Sequence, residues 1–183
     1  FTRTGPDVGF ERRYDTRRLA DALDQLLVDA NRLAPAAGYQ DDVVDLARQL
    51  LSNLAEDRRR RVTTAYDARD ARRFTQDAAA FHRLLADLDR LLATRPQMRL
   101  DTWLDAASAW GRTPDEEAAY RSDAAWLLTL WGPDAGNGNQ LFDYAWREWA
   151  GLIANYYLPR WQRLDAVLGL SLIHISEPPR PER

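Results

Sequence analysis

Apolar residues return every three or four positions through most of the chain, and no window alternates with period two for long enough to make a strand. Leu19, Leu23, Leu26, Ala30 and Leu33 form the first stripe, ended by Pro35 and Gly38. A second helix opens at Asp41 and Asp42, where acidic groups suit a helix N-terminus. It carries Val43, Ala47, Leu50 and Leu54 on one face, widened by Val44, Leu46 and Leu51. The third helix is the cleanest: Phe74, Ala78, Phe81, Leu85, Leu88 and Leu92 keep a 4-3-4-3-4 rhythm, which favours packing at about +20° on neighbouring helices. A short helix follows, with Trp103, Leu104 and Ala107 inward, and Gly111 breaks it. Thr113-Pro114-Asp115-Glu116 is a strong helix start, with a capping Thr, Pro at the first helical position and Glu to complete a capping box. The fifth helix carries Tyr120, Ala124, Leu127, Leu128 and Trp131. A Gly/Asn-rich loop, Asp134 to Gln140, separates it from a final helix with Ala145, Trp149, Leu152 and Tyr156 inward. Pro159 should disturb that helix, and Trp161, Leu164 and Leu168 resume the pattern. The pattern predicts helices near 15–34, 40–66, 70–94, 100–109, 114–131 and 141–168. Together they read as an all-α antiparallel bundle of five to six helices.

Composition narrows the chemistry. The 183 residues make about one domain with room for a real core. A net charge of −3 gives no bulk attraction to nucleic acid or to anionic membranes. No apolar run approaches the roughly 18 residues of a membrane span. With no Cys and only His82 and His174, disulfides, thiolate sites and a His-based metal cluster are excluded, and no cofactor is implied. All 25 basic side chains are Arg. The run Arg58–Arg61 follows Glu56 and Asp57 and has no interleaved aromatics, so it reads as a solvated helix face. His82 lies beside the apolar stripe and reads as a boundary residue. There is no phosphate-binding loop, no metal-ligand spacing and no nucleophile elbow, and the fold class alone does not supply a function.

The stretch from Trp126 to Trp161 holds five of the seven Trp, at positions 126, 131, 146, 149 and 161. Aromatic side chains bury large areas and carry a polar handle, so a cluster of this kind serves either to close a core or to wall a ligand pocket. Trp149 and Tyr156 fall on the inward stripe and are expected in the core. Trp131 ends one helix and Tyr144 falls in the first turn of the next, so the intervening loop can bring both rings to one rim, with Leu141 beside them.

Several motifs add a resemblance. Leu128-Thr129-Leu130-Trp131-Gly132-Pro133, Asp143-Tyr144-Ala145, Gly151-Leu152 and Ala154-Asn155-Tyr156-Tyr157-Leu158-Pro159-Arg160-Trp161 closely resemble the C-terminal helical domain of the α-N-acetylglucosaminidases, glycoside hydrolase family 89. Asp42-Val43-Val44-Asp45-Leu46-Ala47-Arg48-Gln49 is similar to an upstream helix of that domain, with Asp41 where the family has Tyr. The resemblance covers about Tyr14 to Leu168. It implies an exo-acting, retaining hydrolase of terminal α-linked N-acetylglucosamine. The two catalytic Glu would lie on a barrel domain outside this chain, which would therefore contain no catalytic residue and be inactive alone. It further implies that this domain packs across the barrel mouth and supplies one wall of the sugar pocket, at Trp131, Leu141 and Tyr144. By the same resemblance the protein would be secreted or periplasmic in bacteria, or lysosomal in animals.

Two departures concern pocket detail. Asp123-Ala124-Ala125 stands where the family usually has Asn-Ala-Arg or Asn-Ser-Arg, and the loop at Asp134–Gln140 is longer than in some members. The organisation expected is an arm over residues 1–13, the helical domain over 14–170 and a tail over 171–183. The tail matches nothing in the family and resembles the in-frame translation of a sequencing adapter, so it is expected to make few contacts. The chain begins at Phe1 and reads as a fragment. The alternative reading is a free-standing helical module that binds a protein partner through its aromatic surface.

Overall fold

A computed structural model describes residues 12, 14–131 and 145–176. Seven α-helices order the described residues: α1 (Thr16–Val28), α2 (Ala30–Leu33), α3 (Ala37–Asp67), α4 (Ala71–Leu92), α5 (Leu100–Ser108), α6 (Pro114–Leu128) and α7 (Leu158–Ser176). A 3-10 turn, Pro96–Met98, precedes α5, and a π-helical turn, Ile153–Tyr157, leads into α7. No strand occurs among the described residues; one isolated parallel bridge joins Arg99 and Ala150. The fold is all-α, as the periodicity predicts.

Helix α4 is the centre. All six members of its predicted stripe, Phe74, Ala78, Phe81, Leu85, Leu88 and Leu92, are buried. Helix α3 covers one side of it, and α7 with the π-helical turn covers the other. Residues 68–70 reverse the chain between α3 and α4. Arg69 takes a left-handed conformation there, and Asp70 caps α4 by accepting the Arg73 N–H at 2.9 Å. Phe81 meets Trp161 edge to face, with ring centroids 5.5 Å apart, an arrangement that adds to area burial.

The peripheral helices differ from their predicted form. Helix α1 ends at Val28, and the carbonyl of Asp29 accepts the N–H groups of Arg32 and Leu33, starting the short α2. Its stripe faces α3 but none of it is fully buried, because α1 has the bundle on one side only. In α3 the buried positions are Val44, Ser52, Asn53, Ala55, Val62 and Ala65, whereas Leu54, expected inward, is exposed. Asn53 is inward because its amide serves the N-terminal segment: Oδ1 accepts the Tyr14 hydroxyl at 3.0 Å.

Two further expectations are corrected by packing. Arg59 does not belong to a solvated face. It inserts between α3, α4 and α7, donating from Nη1 to the buried Asp165 at 2.5 Å, with its guanidinium 4.2 Å from the centroid of the Trp161 ring. His82 does sit at the boundary, and its Nε2 lies 2.9 Å from the other Asp165 oxygen. The tail also departs from expectation: α7 runs on to Ser176, Leu172 is buried in the core cluster, and the Ser171 and Tyr66 hydroxyls lie 3.4 Å apart. Few contacts are therefore not what residues 171 and 172 make; residues 177–183 lie outside the described residues.

Removing one member of a buried ion pair strands the other in a poorly solvating interior. Asp165→Ala is expected to cost about 3–5 kcal/mol in urea unfolding. Asp87→Ala, which removes an exposed partner of Arg90, should stay within about 1 kcal/mol of the parent. Leu172→Ala should cost about 2–4 kcal/mol by the same measurement, the range for truncating a buried Leu.

Candidate functional site

Helix α6 starts as its sequence dictates. The Thr113 hydroxyl accepts the Glu116 N–H at 3.3 Å, and the Glu116 carboxylate accepts the Arg112 N–H at 2.8 Å. Asp115, Glu116 and Glu117 all lie in its first turn, where the helix dipole favours negative charge. The turn joining α5 to α6 requires Gly111, since a Cβ there would stand 2.4 Å from the Glu117 backbone nitrogen. Apolar side chains are spread around α6 rather than gathered in a stripe. Its principal packing partner is α5, and only Ala124 and Leu128 of the helix are buried.

The helix ends three residues earlier than predicted. The carbonyl of Trp126 accepts the N–H groups of both Thr129, at 3.1 Å, and Trp131, at 2.8 Å. Trp131 itself has φ of 62°. A terminating left-handed position usually belongs to Gly, and for an L-residue it costs about 1–2 kcal/mol. A Trp held there, with 38% of its surface exposed, is a strained residue of the kind that collects at functional sites.

The chain is next described at Ala145, and the predicted helix from Leu141 is corrected here. Residues 146–150 are not helical. Trp146, like Trp131, is left-handed, with φ of 48°. Contacts to other parts of the bundle hold this stretch instead. Glu148 accepts hydrogen bonds at one oxygen from Arg48 Nη1 at 2.6 Å and Ser52 Oγ at 2.8 Å, both on α3. Burial works to lower the Arg48 pKa, but the Glu148 and Asp45 carboxylates outweigh it and hold the guanidinium above its ordinary value. Ala150 donates to the Met98 carbonyl at 2.8 Å and accepts from Leu100 N–H at 2.9 Å. Asp89, on α4, accepts from the N–H groups of Gly151 and Ala154 at 2.8 and 3.0 Å, capping the last helical stretch from outside.

The late start and the π-helical turn rotate the aromatic register. Tyr157 and Trp161 are fully buried, together with Leu152 and Ile153, whereas Trp149 and Tyr156, expected in the core, are only partly buried at its edge. Pro159 follows directly on the π-helical turn Ile153–Tyr157, so the helix is disturbed at that turn, as expected, and is not broken by the proline. The Arg160 guanidinium lies 4.7 Å from the centroid of the Tyr156 ring.

Of the three predicted site residues, Trp131 is placed as described, half-exposed at the end of α6, and Leu141 and Tyr144 lie outside the described residues. The periodicity missed an exposed aromatic surface on α5 and α6. Trp103, expected inward, is exposed, as are Trp110, Tyr120, Trp126, Leu127, Leu130 and Trp146. Between α5 and α6, Trp103, Trp110, Tyr120, Asp123 and Leu127 line a groove of about 400 Å³. The signal in the sequence was the scatter of apolar residues around α6, which fits a helix covered from more than one direction. Among the described residues no group of three His, Asp or Glu is arranged to hold a metal ion, and no helix is long and apolar enough to cross a membrane.

Gly151 has φ of +85°, and a Cβ there would reach 3.4 Å from Leu100 Cβ. Gly151→Ala is therefore expected to lower stability by about 1–2 kcal/mol, read as a fall in thermal midpoint.

Comparison with known proteins gives matches over most of the chain. The family model described as the alpha-N-acetylglucosaminidase (NAGLU) C-terminal domain matches residues 3–171. A human protein, alpha-N-acetylglucosaminidase, is 33% identical over 150 residues, covering 81% of this chain and 20% of its own length. Solved structures of a family 89 glycoside hydrolase from Clostridium perfringens share the fold. The complex with PUGNAc superposes with a TM-score of 0.85 at 24% identity, over 93% of this chain and 20% of that one. A complex of the same hydrolase with its substrate GlcNAc-alpha-1,4-galactose gives the same score over 94% of this chain. The chain thus spans about a fifth of the length of these relatives.

Proposed function

Since the chain belongs to the α-N-acetylglucosaminidase C-terminal domain family, we propose that it serves as the helical domain of an exo-acting, retaining α-N-acetylglucosaminidase and supplies one wall of its sugar pocket. The observation that carries this reading is Trp131, a bulky aromatic kept in a strained left-handed conformation with its side chain half-exposed at the end of α6. Trp131, Leu141 and Tyr144 form the wall. A pyranose offers an apolar C–H face and a polar rim, so the indole covers the face while the Tyr144 hydroxyl hydrogen-bonds the rim. A closed end wall leaves no room beyond the terminal sugar, which makes the action exo.

The reaction itself belongs to the rest of the polypeptide. Retention needs two carboxyl groups about 5–5.5 Å apart, one acting as nucleophile and the other as acid and then base. The acids at the start of α6 serve that helix terminus and are not assigned to chemistry. No cofactor enters the reaction. The substrate is terminal α-linked N-acetylglucosamine, the unit in the ligand of the Clostridium relative, GlcNAc-alpha-1,4-galactose.

The exposed aromatic face of α5 and α6 supports a contact with the remaining four-fifths of the protein. An apolar surface of this kind on a helix pair is unusual unless something covers it. Docking within one polypeptide accounts for it without the separate partner that a free-standing module would need.

Tyr144→Phe in the full-length protein tests the wall. The fold should be nearly unchanged, and kcat/KM for an aryl α-N-acetylglucosaminide should fall by the equivalent of about 1–3 kcal/mol, the scale for leaving one polar group unpaired. An unchanged kcat/KM would remove Tyr144 from the pocket.

A further inference from the structure

We propose that the groove between α5 and α6 is a docking site for a segment of the same polypeptide outside these 183 residues, one that brings an apolar side chain to the Trp and Tyr rings and an Arg or Lys to Asp123. The inference rests on the reading of this chain as one domain of a longer hydrolase, and it supplies the chemistry of what covers the α5–α6 face.

The groove, of about 400 Å³, is walled by Trp103 and Trp110 from α5 and the turn after it, and by Tyr120 and Leu127 from α6. Trp110 keeps 81% of its surface exposed, and Trp103, Tyr120 and Leu127 keep nearly half of theirs. Single exposed apolar residues are ordinary on a protein surface, but four large ones converging on one concavity mark a place of contact. The site is formed before anything enters it. Trp103 packs on Trp149 with ring centroids 5.8 Å apart, α5 and α6 pack on each other, and Gly111 lets the turn between them stay tight. A preformed site gives up little ordering entropy when it is filled.

Asp123 is the only carboxylate among the residues lining the groove. It lies well past the first turn of α6, beyond the helix dipole that accounts for Asp115, Glu116 and Glu117. It is exposed and makes no hydrogen bond or ion pair among the described residues. The neighbouring arginines are engaged elsewhere, Arg121 with Asp105 and Arg99 with Asp101. Residues 99–128 carry six acids and three Arg, so the surroundings reinforce the negative charge. An unpaired carboxylate at the edge of an apolar site favours a partner that brings a cation and disfavours one that brings an acid. The chain spans about a fifth of the length of its relatives. A segment from the rest of such a protein is tethered to the groove, and tethering makes docking intramolecular, which favours that segment over a free partner.

The test uses the full-length protein with p-benzoylphenylalanine in place of Trp110 or, in a second variant, Tyr120. Val28 on α1, 82% exposed, is the control position. After irradiation the captured peptides are identified by mass spectrometry. Both groove positions should cross-link within one polypeptide, to a segment outside these 183 residues that carries Arg or Lys beside an apolar residue, in severalfold higher yield than Val28. Asp123→Arg tests the charge. Replacing an exposed acid that has no partner in this domain should leave the thermal midpoint nearly unchanged if nothing faces it. Set against a docked cation, the change should lower the midpoint of the full-length protein by several degrees and reduce the cross-link yield from Trp110. No cross-link from either groove position, cross-links to a second molecule, or capture of an acidic segment would overturn the proposal, as would parental midpoint and yield in Asp123→Arg. If one benzoylphenylalanine variant fails to fold, the other carries the same comparison. None of these readouts depends on turnover, so a sugar wall that fails by kcat/KM leaves the docking result standing, and the reverse also holds.

Discussion

The arrangement depends on one helix being buried along its length. The stripe from Phe74 to Leu92 on α4 is shielded on one side by α3 and on the other by α7 and the π-helical turn. Apolar burial of that extent is the main favourable term in the fold, and it leaves the remaining faces of α4 for polar work. His82 reaches Asp165 on α7, and Asp89 holds the N–H groups of Gly151 and Ala154. The core helix therefore both drives collapse and places the start of the last helix.

What the sequence made legible follows the reach of each physical signal. The α4 stripe was readable because every member is buried, so periodicity and packing report the same thing. The start of α6 was readable because Thr113, Pro114 and Glu116 act within one turn. The family was readable from the spacing of the tryptophan-bearing motifs. By contrast, Ala145, Trp149, Leu152 and Tyr156 are spaced for a helix, yet residues 146–150 are not helical. Local pattern says nothing about Arg48, Ser52, Met98 or Asp89, which lie far away in sequence and hold this stretch through the Glu148 carboxylate and the N–H groups of Ala150, Gly151 and Ala154. Arg59 misled for a related reason: four consecutive arginines look alike in sequence, and only the position of Asp165 and Trp161 singles one out. In α3 the buried face was offset toward Val44 and Ala55 because α1 and α4 cover it from two directions. Of the candidate site, Trp131 was legible as an aromatic at a helix end, but its left-handed backbone was not, since nothing in the composition of a tryptophan foretells it.

The aromatic residues sort by backbone setting rather than by type. Tyr157, which closes the π-helical turn, and Trp161, on α7, are turned toward α4 and are buried. Trp131 and Trp146 sit on left-handed backbone and are half-exposed. Trp103 and Tyr120 are on regular helices but face a groove that the bundle does not fill. One residue class thus serves as core, as rim and as uncovered surface, and the distinction rests on where each helix stops.

Because α6 is backed mainly by α5, the two helices have few buried apolar contacts with the rest of the bundle. Cooperative stability is distributed according to such contacts, and weakly connected elements open as separate units at lower free energy than the core. The α5–α6 hairpin, with Leu104, Ala124 and Leu128 as its buried residues, is therefore tied to the core less firmly than α3 and α4. Anything that covers its aromatic face raises its opening free energy without altering the core. The order of the helix that ends in Trp131 is in this way coupled to what lies against it.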